Sequence, residues 1–512
     1  MIIIGLVKDI NMELTLIIIG GGVAGLTAGC YARMNGYRTT ILEMGKTPGG
    51  LCTSWRREGY LFDGSVAGLA GSAPGSPLFR LWEEIGVAKY CPLHYGENFG
   101  RIYGPDGRTI TVYTDIDRLE AHLLSNFPSD ARPLREFTRA LRSVLDLDIP
   151  FSDALGWEAL KHRFQTFFSS MSHLPVLLKY GTMTIRQFAA KFKDQSLVSA
   201  FNNLVHFGGP DVPLLTVLLP LAYAHRKMAG IPLKGWLSFA RSIERRFIEL
   251  GGNIQYGAKV TRLILENGVV GGVILTDGSI HYADRVLSAA DGRFSQSILL
   301  GRAEGETAHF FNPHDISDQP VQVNIGVDAD FSAEDGPVTY ILSETFSAAG
   351  REHAKITVHN KYYDPDAAPK GKSAITVFLD SDYSWWKEVA SDPSRYKEEK
   401  ERCANMVIDI IGRYHPGFKG RVEVVDVSTP LTRERYTGNW MGAMQARKPN
   451  ANMIKALLQG GPKYAYKDVK GLYMAGQWVE AWGGITTAAL SGRKAIQAMC
   501  KHDRKQFTAS KA

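Results

Sequence analysis

A run of β-formers that drops into Gly20, Gly22 and Gly25, a long helical stretch that interrupts the chain, and a second strand-into-glycine junction at Gly476 together predict an α/β fold. The expected architecture is a Rossmann-type nucleotide-binding domain split in sequence by an inserted α+β domain. Leu14 to Ile19 reads as the first strand, Leu26 to Met34 as the helix, and Arg38 to Leu42 as a second strand that ends on Glu43. That is one βαβ unit. Binding a dinucleotide requires these residue types: Gly20 for the tight turn, Gly22 so that backbone approaches a pyrophosphate, and Gly25 so that helix packs on strand. Glu43 lies a little over ~20 residues past the first glycine, where an acid accepts both ribose hydroxyls and disfavours a 2′-phosphate.

After Gly50, Tyr60 to Asp63 reads as a strand that turns at Gly64, and Pro77 to Ile85 as a helix with Leu78, Leu81, Trp82 and Ile85 on one face. Residues Arg101 to Tyr113 alternate as a hairpin around Pro105-Asp106-Gly107. From Ile116 to about Met228 the pattern is helical, which marks an insertion rather than more sheet. Trp236 to Leu250 is a strong helix stopped by Gly251-Gly252, and Asn253 to Ser288 is a run of strands with hairpin turns at Asn267-Gly268 and Asp277-Gly278. The stretch from about Gly301 to Val424 is β-rich with a helix over Pro393 to Ile411. Gly471 to Gly476 is a buried strand into glycine, and Thr486 to Cys500 closes the chain as a helix. The expected division is a nucleotide-binding domain in three parts (12–110, 233–300 and 426–505), a helical part (111–232), a β-rich part (301–425) and flexible ends (1–11 and 506–512).

The 512 residues exceed what one core organises. A net charge of +7 is modest for this length, and its one basic concentration, Lys501 to Lys511, reads as a solvated tail, so a nucleic-acid partner is not expected. The five cysteines (Cys30, Cys52, Cys91, Cys403, Cys500) are far apart with no C-x-x-C, which speaks against a redox dithiol or a metal site and fits a reducing cytoplasm. The N-terminus has neither a basic region nor a small-residue cleavage site, so it is not a secretory signal, and 1–11 reads as an extension upstream of Met12. The longest apolar candidate, Pro213 to Ala224, is far short of the ~20 residues of a spanning helix and carries Pro220.

Six stretches, in this order, resemble the phytoene desaturase and carotenoid isomerase family of FAD-dependent oxidoreductases, a branch of the wider group that includes flavin amine oxidases. They are IIIGGGVAGLTAG, LEMGKTPGG, GYLFDGS, the long segment from GWLSFARSIERRF to RVLSAAD, TPLTRERYTGNWMGA, and GLYMAGQWVEAWGGITTAALSGRKA. The resemblance covers nearly the whole chain and implies a glutathione-reductase-like, amine-oxidase-like topology with non-covalent FAD. Carried over by position, it implies that Gly20, Gly22 and Gly25 hold the pyrophosphate, Glu43 the ribose, and that Gly49, Gly50 and Leu51 pass along the cofactor. Val260 would meet the adenine, Gly476 and Gln477 the pyrophosphate and ribityl chain, and Gly484 with Ile485 the flavin edge. There the N-terminus of the closing helix would favour the anionic reduced ring. Two positions depart from the family: Leu51 stands where many relatives have Arg, and Gln477 where many flavoproteins have Asp.

The implied activity is oxidoreduction of a long apolar isoprenoid, carotenoid-like or lipid chain, by desaturation, saturation or cis/trans isomerisation. Flavin amine oxidation and a non-catalytic lipid-binding role on the same fold are the alternatives. Catalytic side chains are not fixed; Glu480, Trp440 and Trp482 are candidates, with Trp478 in the same stretch, since aromatic walls suit an unsaturated hydrocarbon and a buried carboxylate can carry a proton. His206, Arg435 and Tyr436 lie in stretches that the family places near a substrate tunnel. Asp153 to Phe192 mixes Trp157, Phe164, Phe167, Phe168, Leu174, Leu177 and Leu178 with basic residues. It reads either as a packed helical subdomain or as a peripheral contact with the inner face of a membrane. No second dinucleotide fingerprint is present, so no NAD(P)H domain is expected.

Overall fold

The computed structural model describes residues 13–64, 68–147, 173–204, 209–301, 316, 319–446, 464–480 and 483–509. The chain divides into two compact units. One comprises Met1–Gly50, Ala240–Ile316 and Gln445–Ala512, the other Leu51–Phe239 and Ser317–Met444.

The first unit is built on β1 (Thr15–Ile19), α1 (Val23–Met34), β2 (Arg38–Glu43), α2 (Trp236–Glu249, within the unit from Ala240), β3 (Asn253–Tyr256), β4 (Arg285–Ser288), β5 (Leu472–Met474) and α3 (Ile485–His502). Its five strands are all parallel, in the order β3-β2-β1-β4-β5. Leu16 to Ile19 are buried, the continuous apolar run expected of a central parallel strand with both faces covered. The connections reverse at β1, so a crevice opens at its C-terminal end, where Gly20 begins. A three-stranded antiparallel sheet (Val260–Glu266, Val269–Leu275, Ile280–Tyr282) lies between β3 and β4 in sequence. The Asn267-Gly268 and Asp277-Gly278 turns fall between its strands, as expected.

The end of the chain differs from the expected flexible, solvated tail. Thr508 and Asn35 exchange two hydrogen bonds (2.7 and 2.8 Å), Phe507 packs 5.8 Å from Tyr31, and Lys505 donates to the carbonyl of Gly36 at 3.2 Å. A cation and a polar strand thus satisfy the carbonyl end of α1.

The second unit is a seven-stranded sheet with helices. Its strand order is Val422–Ser428, Val321–Val327, Ser373–Leu379, Arg351–Asn360, Val338–Ala348, Asn98–Tyr103, Thr109–Tyr113. One face buries Val321, Val323, Ile325, Val358 and Val377 with Val407, Ile408 and Ile411 of the helix Pro393–Tyr414. At the other end Ile102, Ile110 and Val112 join a core with Phe137, Phe188, Phe201 and Leu218 of the helical insertion. The hairpin at 98–113 therefore pairs within this sheet, parallel to Val338–Ala348, whereas the sequence suggested a nucleotide-binding part running to 110. Its partner strand lies more than two hundred residues downstream, beyond any local signal.

Asp63 explains the GYLFDGS segment. Its carboxylate accepts from Trp236 N (3.1 Å) and from the Ser54 hydroxyl, which in turn accepts from Leu237 N (3.0 Å). A strand end thus caps the start of α2 from 173 positions away. Lys361 Nζ, 2.5 Å from the other carboxylate oxygen, neutralises the charge. Among the described residues no helix is long and apolar enough to cross a membrane.

Candidate functional site

The site is assembled in the first unit, from the loops at the C-terminal ends of β1, β2 and β5. At the end of β2, Glu43 is buried, and its two carboxylate oxygens accept from Gly21 N and Gly45 N, both at 2.6 Å. Its backbone carbonyl accepts from Ala258 N (2.9 Å), and that of Gly45 from Gly257 N (3.0 Å). These bonds bring the start of the strand holding Val260 to the Glu43 end of the sheet. Gly49 N donates to Gly21 O (2.8 Å), so Gly49 and Gly50 run beside Gly22. Leu51 opens the other unit. Gly20 N donates to Leu42 O at 2.9 Å, which carries the β1–β2 ladder to the point where the chain turns into α1. A Cβ on Gly25 would fall well inside contact with the Gly20 carbonyl oxygen, so only glycine lets α1 start this close to β1.

α3 makes the other wall. It runs parallel to α1, because Gly492, Arg493 and Cys500 meet Ala24–Ala28, Tyr31 and Tyr37 in that order. Both helix N-termini therefore point the same way. Gly484 caps α3 at φ +115°, ψ 163°, a backbone region essentially restricted to glycine. Ile485 follows it, half-buried. Gly476 N donates to Ser491 Oγ (2.7 Å), which donates on to Ala488 O (2.6 Å). The N–H of Gly476 is thus committed to α3, and Gln477 beside it is half-buried. Ser491 was invisible to motif reading because a mid-helix serine carries no signal of its own.

Two features test whether a dinucleotide fits. Neither α1 nor α3 has a side-chain cap or an acid in its first turn, so both leave N–H groups and positive dipole ends for an anion. A Cβ on Gly22 or on Gly484 would meet nothing within 4 Å, so open space lies in front of each. With Glu43 already oriented by two amides, the donors and acceptors match a nucleotide with two ribose hydroxyls.

The candidate catalytic side chains fall in different units or outside the described residues. Glu480 lies in the first unit and its carboxylate accepts from Tyr464 OH at 2.5 Å, with Lys494 Nζ at 3.5 Å. Trp440 is half-buried in a turn of the second unit, and Trp482 lies outside the described residues. Trp478 is buried against Gly292. Arg435 and Tyr436 are exposed and stack on one another at 5.0 Å. Beside them Arg433, which the sequence did not single out, is buried and donates to the carbonyls of Gly442 (2.9 Å) and Pro320 (2.8 Å). Burial holds its guanidinium down at about 10. His206 also lies outside the described residues.

A family model for flavin containing amine oxidoreductases matches residues 23–500. The chain belongs to that family. FAD is accordingly its cofactor, and the protein is an FAD-dependent oxidoreductase with an amine-oxidase-like fold. Within the family it is similar to prolycopene isomerase 1, chloroplastic, of an Oncidium hybrid cultivar: 24% identical over 502 residues, 96% of this chain and 83% of the relative. It is also similar to the lycopene-forming phytoene desaturase of Pseudescherichia vulneris, 23% identical over 94% of this chain and 98% of the relative. A solved putrescine oxidase shares the fold, with a TM-score of 0.60, 14% identity, and coverage of 95% of this chain and 99% of that one.

Proposed function

We propose that this oxidoreductase acts on a long apolar isoprenoid, carotenoid-like or lipid chain. The observation that carries the reading is that two relatives matched along nearly the whole chain are, by name, a prolycopene isomerase and a lycopene-forming phytoene desaturase. Bound in the site, FAD supplies a hydride acceptor for desaturation, or a reduced ring for saturation or cis/trans isomerisation. The chain's own residues do the holding: Glu43 fixes the adenosine end, and the α1 and α3 N-termini favour negative charge at the phosphates and at the ring. Gly483-Gly484-Ile485-Thr486 presents small and aliphatic groups rather than the paired aromatic rings that suit an amine. The test is the product profile after anaerobic incubation of the holoprotein with a panel of polyenes and lipids, under oxidised and reduced flavin, with putrescine as the comparison. A changed double-bond pattern in a polyene supports the reading; turnover of the amine alone overturns it.

The apolar substrate reaches the protein, in this reading, from a membrane surface. The described part of the candidate contact region offers Leu174 and Leu178 (38% and 61% exposed) one turn apart on the helix Leu174–Thr182. Phe188 and Phe192, by contrast, are core, and Trp157, Phe164, Phe167 and Phe168 lie outside the described residues. Among the described cations, Lys179 and Lys191 both bind Glu136 (2.9 and 2.7 Å) and Arg186 binds Asp211 (2.7 Å), while Lys193 is exposed. Liposome binding should therefore persist at high salt, with only a small electrostatic part. Failure to sediment with either neutral or anionic vesicles at low salt would refute it.

A further inference from the structure

We propose that Glu480 is a positioning residue for the cofactor turn, acting through Tyr464 and Lys494. The turn from β5 to α3 carries Gly476, Gln477 and Gly484, and its start is pinned by the bond from Gly476 N to Ser491. Glu480 pins the other end. Its side chain is only 7% exposed, and Oε1 accepts from Tyr464 OH at 2.5 Å while facing Lys494 Nζ at 3.5 Å. Tyr464 is itself fixed to the sheet: Met474 N donates to its carbonyl (2.7 Å), and Ala465 bridges Tyr473 of β5. Burial and the neighbouring Glu480 charge push the Tyr464 phenol far above its usual range, so it stays a donor at every working pH. Lys494 belongs to the third turn of α3. One carboxylate thus ties the turn to the edge of the sheet and to the helix whose N-terminus meets the cofactor. Trp478 packed against Gly292, and Gln445 packed against Gly483, brace the same turn. A turn held in its bound shape before FAD arrives avoids the cost of being ordered by it.

The experiment is titration of FAD into apoprotein, followed by flavin fluorescence, beside thermal melts of apo and holo forms. Glu480→Ala and Tyr464→Phe are expected to raise the FAD Kd by about tenfold, the loss of one hydrogen bond to a charged group. Glu480→Gln still accepts from Tyr464, so about threefold or less is expected, as for Lys494→Met, whose side chain is half-exposed. The apo melting temperature should fall by a few degrees at most, while the FAD-induced upshift shrinks as well. Two results would overturn the proposal. One is an unchanged Kd in both Glu480→Ala and Tyr464→Phe, including the case in which apo and holo melts fall together. The other is a loss of turnover on the order of 100-fold in Glu480→Gln at intact FAD affinity, the size expected of a general acid or base.

Discussion

Six helices of the second unit begin on a side-chain cap, and two of the first begin on a bare glycine. In the second unit Asp115, Thr184, Asp194, Asp382, Asp392 and Thr429 each turn a side-chain oxygen back onto the first N–H groups of the following helix, and Thr184 with Gln187 completes a capping box. In the first unit α1 and α3 begin at Gly22 and Gly484, with no cap and no acid. The same unmet backbone donors arise in every helix. An unmet start alone does not mark a binding end, because the helices Phe79–Glu84, Ala131–Arg142, Leu174–Thr182 and Leu215–His225 of the second unit also lack a side-chain cap; α1 and α3 add to it a glycine start with open space before it. A missing cap therefore becomes informative only together with a glycine start and open space in front of it.

The sharpest way to break the contrast is Gly25→Ala. The added Cβ would strike the Gly20 carbonyl, a backbone atom that cannot rotate away, so α1 would have to move off β1. The expected outcome is protein that retains no flavin through gel filtration. Yellow protein at full occupancy would show that the close approach is dispensable.

Gly484→Ala should come next in size. Space in front of Gly484 is open, so the change acts through backbone strain at φ +115°, of order 1–3 kcal/mol, and through intrusion on the bound ring. FAD affinity should drop about tenfold or more, measured by fluorescence titration, while Gly107→Ala, in an exposed hairpin turn of the second unit, should leave it unchanged. Equal effects at both positions would dissolve the distinction between a binding terminus and a stability feature.

Legibility follows the same line. The βαβ unit, the Glu43 acid and the closing helix were readable because each is a local pattern: apolar period, glycine spacing, distance along the chain. The elements that escaped are those whose partner is far away in sequence. Asp63 caps a helix 173 positions on, and Asn35 receives a tail 473 positions on. Gly476 was placed correctly at the turn, yet its N–H is taken by Ser491, which no spacing rule announces. Glu480, between two tryptophans in sequence, was a candidate proton carrier beside an aromatic wall; in space its carboxylate meets a tyrosine and a lysine.

Asp392→Ala is the converse substitution. Asp392 accepts from Ser394 N and Arg395 N at the start of the 22-residue helix Pro393–Tyr414. Loss of this cap should lower stability to urea by about 1 kcal/mol and leave the FAD Kd untouched. A shift in Kd would mean that the cofactor senses this helix.

The smallest effect should come from acid titration of the hairpin at 98–113. Asp106 accepts from the Ser196 hydroxyl (2.5 Å) and from Arg108 Nε (2.7 Å), and these bonds, Ser196 first, hold its carboxyl down at about 2. A carboxylate depressed in the folded state contributes stability above its unfolded pKa and loses it as pH falls from about 4 toward 2. Asp106→Asn removes that contribution, so wild type and variant should differ most near pH 5 and converge as pH approaches 2. The side chain is 38% exposed, and solvent screens the pair, which keeps the difference below that of the Asp392 cap. Urea midpoints at pH 5 and pH 3 measure it. A gap that widens on acidification would have the wrong sign for a depressed carboxylate and would place the hairpin's anchor elsewhere, on the Arg108–Asp194 pair that joins the same turn to the helix Gln195–Asn202.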